Sequence, residues 1–350
     1  MAHELDYSKG RAAIAYNIEN GTPWHKDGVI MNGRFSGEQA LEVSGINFDV
    51  ELQELSTVQT GIVTADYKAV VRTDTNKILG IVSDKYSALQ NRESVAFFDP
   101  LIKGNKAIFE TAGALQGGKV IWLLAKLDGD PIKIISDDYI NQYLLFTNNH
   151  TGMGSARARF TPIRVVCANT LGWAMGRGVK EEIAVKHTGD VASRVAFAAE
   201  LLAKAGKFYN EMTEGYREMA KVSLNAKQLV TYIKESLRPY TSTKVNEVTG
   251  EGLDLEEEVS SSRLLKEVDK VLNLVETGRG ADIKGVRGTL WGAYNSVTEY
   301  VDHHKALSSR ISSTQYVGFG VGRMVKQKAI NLALDHIKHP TKSKLALAAN

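Results

Sequence analysis

The sequence predicts an α+β protein: a β-rich N-terminal half with antiparallel strands, then a mainly helical C-terminal half. Three observations predict it. Short runs rich in β-branched residues, each closed by a turn signal, fill most of residues 1–189. Beyond them Val195, Leu202, Tyr209 and Tyr216 recur every seven residues, with Ala198, Ala205, Met212 and Met219 in the offset position. No proline interrupts the chain from Ile163 to Arg238, which leaves room for a long helix.

Taken in order, strands are expected over 55–63, 67–72 and 77–83, with turns at Thr64-Ala65-Asp66 and Asp74-Thr75-Asn76. A helix starts near Asn91, and Pro100 limits its length. Strands resume over 106–115 and 119–127 around the hairpin turn Gln116-Gly117-Gly118, and again over 139–147 and 163–167. The double heptad marks one long helix with a single apolar seam. Packing of that seam on its own domain is preferred over pairing with a second subunit. A further helix carries Leu229, Val230, Ile233 and Leu237 on one face and ends before Pro239.

The organisation that follows is a β-rich core at 1–189, long helices at 190–240, an acidic flexible segment at 241–262 and a helical basic region at 263–350. The segment 241–262 holds Glu247, Glu251, Asp254, Glu256, Glu257 and Glu258 before a run of serines, a composition that disfavours packing. From Val301 to the end, eight Lys or Arg oppose Asp302 and Asp335, about +6, against +3 for all 350 residues. A single cysteine excludes an intramolecular disulfide framework and a cysteine-built zinc site. The start lacks a basic-then-apolar leader, and the strongest apolar run, 120–125, is too short to span a bilayer. These features predict a soluble cytoplasmic protein with no membrane partner.

Four features could carry chemistry. Cys167, with His150 and Asn169, supplies the residue types of a Cys-His-Asn set. Its place in the run Val165-Val166-Cys167 fits packing better, and the local cysteine-protease signatures are missing. Glu299 and His303 are four apart and His336 and His339 three apart, so Glu299, Asp302 and His303 are weak metal candidates; no HExxH spacing accompanies them. Gly318, Gly320 and Gly322 before Arg323 form a glycine-rich turn that matches neither a P-loop nor a dinucleotide fingerprint. The fourth is the arginine set. Alternation puts Arg157, Arg159 and Thr161 on one strand face, and Arg164 follows Pro162. Three guanidiniums in eight residues without an acid make a phosphate-sized positive field, although such a face can also serve solubility alone.

Several segments resemble a family of phage/plasmid-like proteins catalogued as a domain of unknown function. They are Thr22-Pro23-Trp24-His25, Leu79-Gly80-Ile81-Val82 with Tyr86 and Gln90-Asn91, Gly113-Ala114-Leu115 with Gly117-Gly118, and 148–152. The block from Thr161 to Leu171 (TPIRVVCANTL) is the most specific, and Gly288-Thr289-Leu290-Trp291 through His303 closes the set. The resemblance implies a mobile-element origin and no particular chemistry or cofactor.

The expected function is therefore non-catalytic binding of single-stranded nucleic acid, DNA favoured, in recombination or annealing by a homo-oligomer. Arg157, Arg159, Arg164, Lys326 and Lys328 are expected at phosphates, Asn169 at a base or its own loop, and Trp24, Tyr86 and Trp173 as stacking platforms. No cofactor is expected. The alternatives are a metal-assisted enzyme on nucleic acid or nucleotides, carried by Glu299, Asp302, His303 and His150, and a non-catalytic assembly protein built on the heptad helix.

Overall fold

Alternating burial along a run of strands forces a sheet with one packed face, and the long apolar seam of the proline-free stretch supplies the helix that packs on it. The computed structural model describes residues 6–8, 10–17, 28–31, 33, 35–152, 156–164, 182–184, 191–245, 252–254, 261–305 and 321–349. The fold is α+β, as the sequence predicts.

The main sheet runs β11-β10-β9-β7-β6-β1-β2, with β8 pairing β9. Its strands are β1 (Ile14–Asn17), β2 (Val29–Met31), β6 (Ala107–Leu115), β7 (Val120–Leu127), β8 (Ile132–Ile135), β9 (Asp138–Asn149), β10 (Arg157–Arg164) and β11 (Glu182–Ala184). Every pair is antiparallel except β1 with β2. β6 and β7 are joined across the expected 116–118 turn, where Gly117 and Gly118 take φ of 70° and 98°, values costly for other residues.

A second sheet, in the order β3-β4-β5, is made of β3 (Val50–Ser56), β4 (Val63–Arg72) and β5 (Lys77–Ser83). Here the sequence reading needs correction. Thr64-Ala65-Asp66 is no turn but part of β4, where the register steps from Glu54↔Lys68 to Leu55↔Thr64. The bulge absorbs the residues between, and the true turn lies at 57–61, with Gly61 at φ 67°. Arg72 anchors the base of this sheet. Fully buried, it bonds Asp74 through Nε (2.6 Å) and Nη2 (3.1 Å), pairs with Asp6, and donates to the Gly117 carbonyl at 3.2 Å. Its guanidinium lies 3.9 Å from the centre of the Phe48 ring.

Three short helices complete this half: α1 (Gly37–Ser44), α2 (Asn91–Ala96) and α3 (Asp99–Lys103). Pro100 stands in the first turn of α3 and does not break a longer helix, because a first-turn N–H has no intrahelical acceptor to lose.

The helical half comprises α4 (Val191–Lys221), α5 (Ala226–Ser242), α6 (Ser261–Thr277), α7 (Leu290–Glu299), α8 (Val321–Lys338) and α9 (Lys344–Leu347). The heptad seam of α4 faces its own chain: Ala205, Tyr209, Met212, Tyr216 and Met219 are buried. Phe208 lies 5.2 Å from Phe160 of β10, and Tyr216 lies 4.8 Å from Trp291 of α7, ring centre to ring centre. The Tyr209 hydroxyl donates to the Tyr143 carbonyl at 2.7 Å and accepts from its N–H at 3.0 Å. The Trp291 indole donates to Asp138 at 2.8 Å.

Two further expectations change. α5 continues through Pro239 to Ser242, since a proline near the last turn removes one hydrogen bond without stopping the helix. At the edges of the acidic segment, β12 (Thr243–Val245) and β13 (Gly252–Asp254) pair as an antiparallel ribbon. Among the described residues no helix is long and apolar enough to cross a membrane.

Tyr209→Phe leaves both backbone groups of Tyr143 without their buried partner. It should lower stability by about 1–3 kcal/mol in urea titrations, with an unchanged slope against denaturant.

Candidate functional site

α7 is buried along its whole length and runs without a break into a π turn over Tyr300–Lys305. Such turns widen the helix by one residue and recur at functional sites. This one gathers charge where charge is costly. Asp302, 8% exposed, accepts from the Lys326 ammonium of α8 at 2.8 Å, and Lys326 is itself only 5% exposed. Lys305 donates to Glu267 of α6 at 3.2 Å. Glu299, also buried, accepts from the Arg279 N–H at 3.0 Å. Position 278 must stay glycine, because a Cβ there would lie 2.8 Å from Glu299 Oε2 and 2.5 Å from the Leu274 carbonyl.

Burial holds Lys326 below the usual lysine range; Asp302 opposes that shift, while Arg159 and Arg323 add to it. The charges of Arg159 of β10 and Arg323 of α8 are thus both felt at this buried ammonium. Burial also lowers Lys305. The outcome is a basic locus built from β10 and α8 and backed by the Asp302 carboxylate.

The arginine set is divided by this arrangement. Arg157 is exposed, Arg159 half-buried, and Thr161 buried beneath them. β10 pairs β9 without a register shift from Arg157↔Thr147 to Arg164↔Ile140. Position 164 therefore falls in phase with Ala158 and Phe160, not with Arg157 and Arg159. Pro162, which has no N–H to give, lies where β10 is paired on one side only among the described residues. The register also sets Glu182 of β11 opposite Arg159, an acid that lay outside the sequence window.

Lys326 is not a surface cation. Its charge is matched inside the protein by Asp302. Lys328 is half-buried on the same helix. Tyr86 packs against the core, and burial raises its hydroxyl pKa, so only part of its ring can meet a base. Trp24, Cys167, Asn169 and Trp173 lie outside the described residues, as does the side chain of Arg164.

Glu299, Asp302 and His303 do not form a ligand set: the first carboxylate holds a backbone N–H and the second holds Lys326. Among the described residues no group of three or more His, Cys, Asp or Glu could hold a metal ion. His336 bonds Ser343 at 2.7 Å and His339 bonds Asp335 at 3.1 Å, so that pair is divided as well. His150 is buried, its Nε2 lies 2.8 Å from Asn91 Oδ1, and its pKa is lowered to about 4 by burial and by Arg72. It serves as a neutral core group. Arg323, Glu267 and Lys305 were missed as members of this locus; Glu267 and Lys305 stand 38 residues apart, beyond any local pattern.

The chain belongs to the family described as "Domain of unknown function (DUF932)", whose model matches residues 78–334, from β5 through most of α8. The matched span includes β10, the π turn and the Lys326–Asp302 pair. No curated protein and no solved structure matches the chain.

Asp302→Asn leaves the Lys326 ammonium buried against a neutral group and should cost about 3–5 kcal/mol, whereas Asp302→Leu with Lys326→Met should recover much of that loss. Both follow from chemical denaturation. His150 binds a proton in the unfolded chain near 6.5 but in the folded chain only near 4. Its contribution is therefore fully present above about pH 6.5 and is lost as pH falls toward 4, by roughly 3 kcal/mol. The wild type should lose that much more stability over this range than His150→Gln, measured by denaturation at each pH.

Proposed function

We propose that this chain is a non-catalytic, single-stranded nucleic-acid-binding protein of phage or plasmid origin, acting in the host cytoplasm in recombination or annealing, with DNA the favoured strand. The observation that supports it best is the strand face of β10 that carries exposed Arg157 and half-buried Arg159, both of them arginines of the phosphate-sized set. Arg157 is exposed on β10, and Lys328 is half-buried on α8, about 200° round the helix from Lys326. Guanidiniums on two rigid elements suit a repeating phosphate backbone, whose recognition needs charge at fixed spacing rather than a reactive group. The buried Asp302 then acts from behind and holds Lys326 in place.

The +6 charge of the last fifty residues favours the same kind of ligand. The mobile-element origin rests on the resemblance of the TPIRVVCANTL block and its companions. Of the stacking candidates, Tyr86 has its ring partly taken up by the core. The π-turn carboxylates are engaged by Lys326 and a backbone N–H, so no observation favours the metal-assisted alternative.

Fluorescence anisotropy with a labelled single-stranded oligonucleotide provides the test. Affinity should fall with salt by roughly 0.7 log units per log unit for each phosphate neutralised. Arg157→Ala and Lys328→Ala should each weaken binding about equally across sequences and reduce that slope by about 0.7. No binding at low salt, or binding with a slope that neither change alters, would overturn the proposal.

A further inference from the structure

β3 is an edge strand. The small sheet runs β3-β4-β5, and among the described residues nothing pairs with the far side of β3. The ladder shows which main-chain groups face that side. Asp49 accepts at its carbonyl from the Thr73 N–H at 3.0 Å, and the Thr57 N–H donates to the Ile62 carbonyl at 2.9 Å. The odd-numbered residues therefore turn toward β4 and the even-numbered ones outward. The extra residues of the bulge belong to β4, so β3 keeps this alternation throughout. At Val50 both outward groups are held by the side-chain amide of Gln90. Its oxygen accepts from the Val50 N–H at 3.0 Å, and its nitrogen donates to the Val50 carbonyl at 2.8 Å. That amide takes the place of one residue of a neighbouring strand, and the pairing ends there. Leu52, Glu54 and Ser56 follow in the same phase. Each directs an N–H and a C=O out of the sheet, and no described residue bonds them.

Charge decides what can join this edge. β3 has no proline, no lysine and no inserted residue of its own, so none of these devices bars a fourth strand. From Asp49 to Ala65 the chain carries Asp49, Glu51 and Glu54 and no base. All three are exposed, against the half-buried Lys68 across the ladder from Glu54. An edge of this sign repels a phosphate backbone. It also disfavours a second copy of itself, because antiparallel pairing centred on Gln53 or Glu54 sets Glu54 beside or opposite its own counterpart. A strand bearing lysine or arginine gains on both counts: its main chain completes the ladder while its cations meet the flanking carboxylates. Beside Leu52, which is half-buried against the core, an apolar residue fits.

We infer that β3 is a docking edge for an extended basic segment of another protein, one in which lysine or arginine stands among apolar residues. The segment adds as a fourth strand along Leu52, Glu54 and Ser56, and the Gln90 amide marks one end of the pairing. Gln90 is itself anchored at the start of α2, where its N–H donates to Glu93 at 2.8 Å, so the edge is preformed. This goes beyond the nucleic-acid proposal and stands without it.

The test uses the full-length protein and fluorescence anisotropy with a labelled, end-capped peptide that alternates lysine with valine. This peptide should bind at low salt, and the same peptide with glutamate for lysine should not. A version N-methylated at every amide keeps its charge but has no N–H to give, and should bind at least about tenfold more weakly. Ser56→Pro removes one outward N–H and crowds the edge without altering charge or the ladder to β4. It should weaken binding about tenfold at an unchanged melting temperature. Glu51→Lys with Glu54→Lys should weaken it by as much. No binding of the lysine peptide, equal binding of the methylated one, or full binding by Ser56→Pro overturns the inference. So does a wild type that sediments as a dimer without peptide and as a monomer after Ser56→Pro, since a second copy then holds the edge. None of these outcomes bears on the oligonucleotide titration.

Discussion

The hydrogen bond from the Trp291 indole to the Asp138 carboxylate is the constraint on which the rest of the structure depends. Asp138 opens β9, the strand against which β7, β8 and β10 all pair. Trp291 opens α7, the buried helix around which α4, α5, α6 and α8 are arranged. One buried, charge-assisted bond therefore fixes the sheet against the helical layer. Everything at the basic locus follows from the two elements it joins: β10 is positioned by β9, and the π turn by α7. Phe160 against Phe208 and the paired bonds between Tyr209 and Tyr143 reinforce the same joint.

Much of the fold was legible in the sequence because local chemistry wrote it. The hairpin at 116–118 needs residues that accept positive φ, and two glycines supply them. The α4 seam shows itself as a double heptad, and its buried tyrosines and methionines face their own chain as that pattern requires. The misreadings have separate causes. Thr64-Ala65-Asp66 has turn composition, but the pairing of β4 with both neighbours overrides local preference and turns it into a bulge. Pro239 reads as a stop, yet α5 passes through it. In the first case strand pairing outweighed a local propensity of about 1 kcal/mol; in the second the proline stands near the last turn, where it removes little.

The site was legible only in part. Arg157 and Arg159 could be found because strand alternation is local. That Lys326 is interior could not, since its partner Asp302 lies 24 residues away and both look like solvent-facing charges in the sequence. The π turn leaves no signature either: Tyr-Val-Asp-His-His-Lys reads as an ordinary helical turn. Buried charge is a property of packing, and the sequence shows it only where a partner stands within one helical turn.

The Arg72 clamp gives this protein an unusual division of labour in its evolution. The clamp holds the base of the small sheet to Asp6, Asp74 and the Gly117 carbonyl, while the far turn, 57–61, is exposed. Residues beyond the bulge are thus free to lengthen, shorten or change sequence without disturbing either layer. Most of that hairpin also lies ahead of residue 78, where the family match begins. A lineage could exchange the outer hairpin wholesale, keeping Arg72 as the joint, and so acquire a new surface on an unaltered frame.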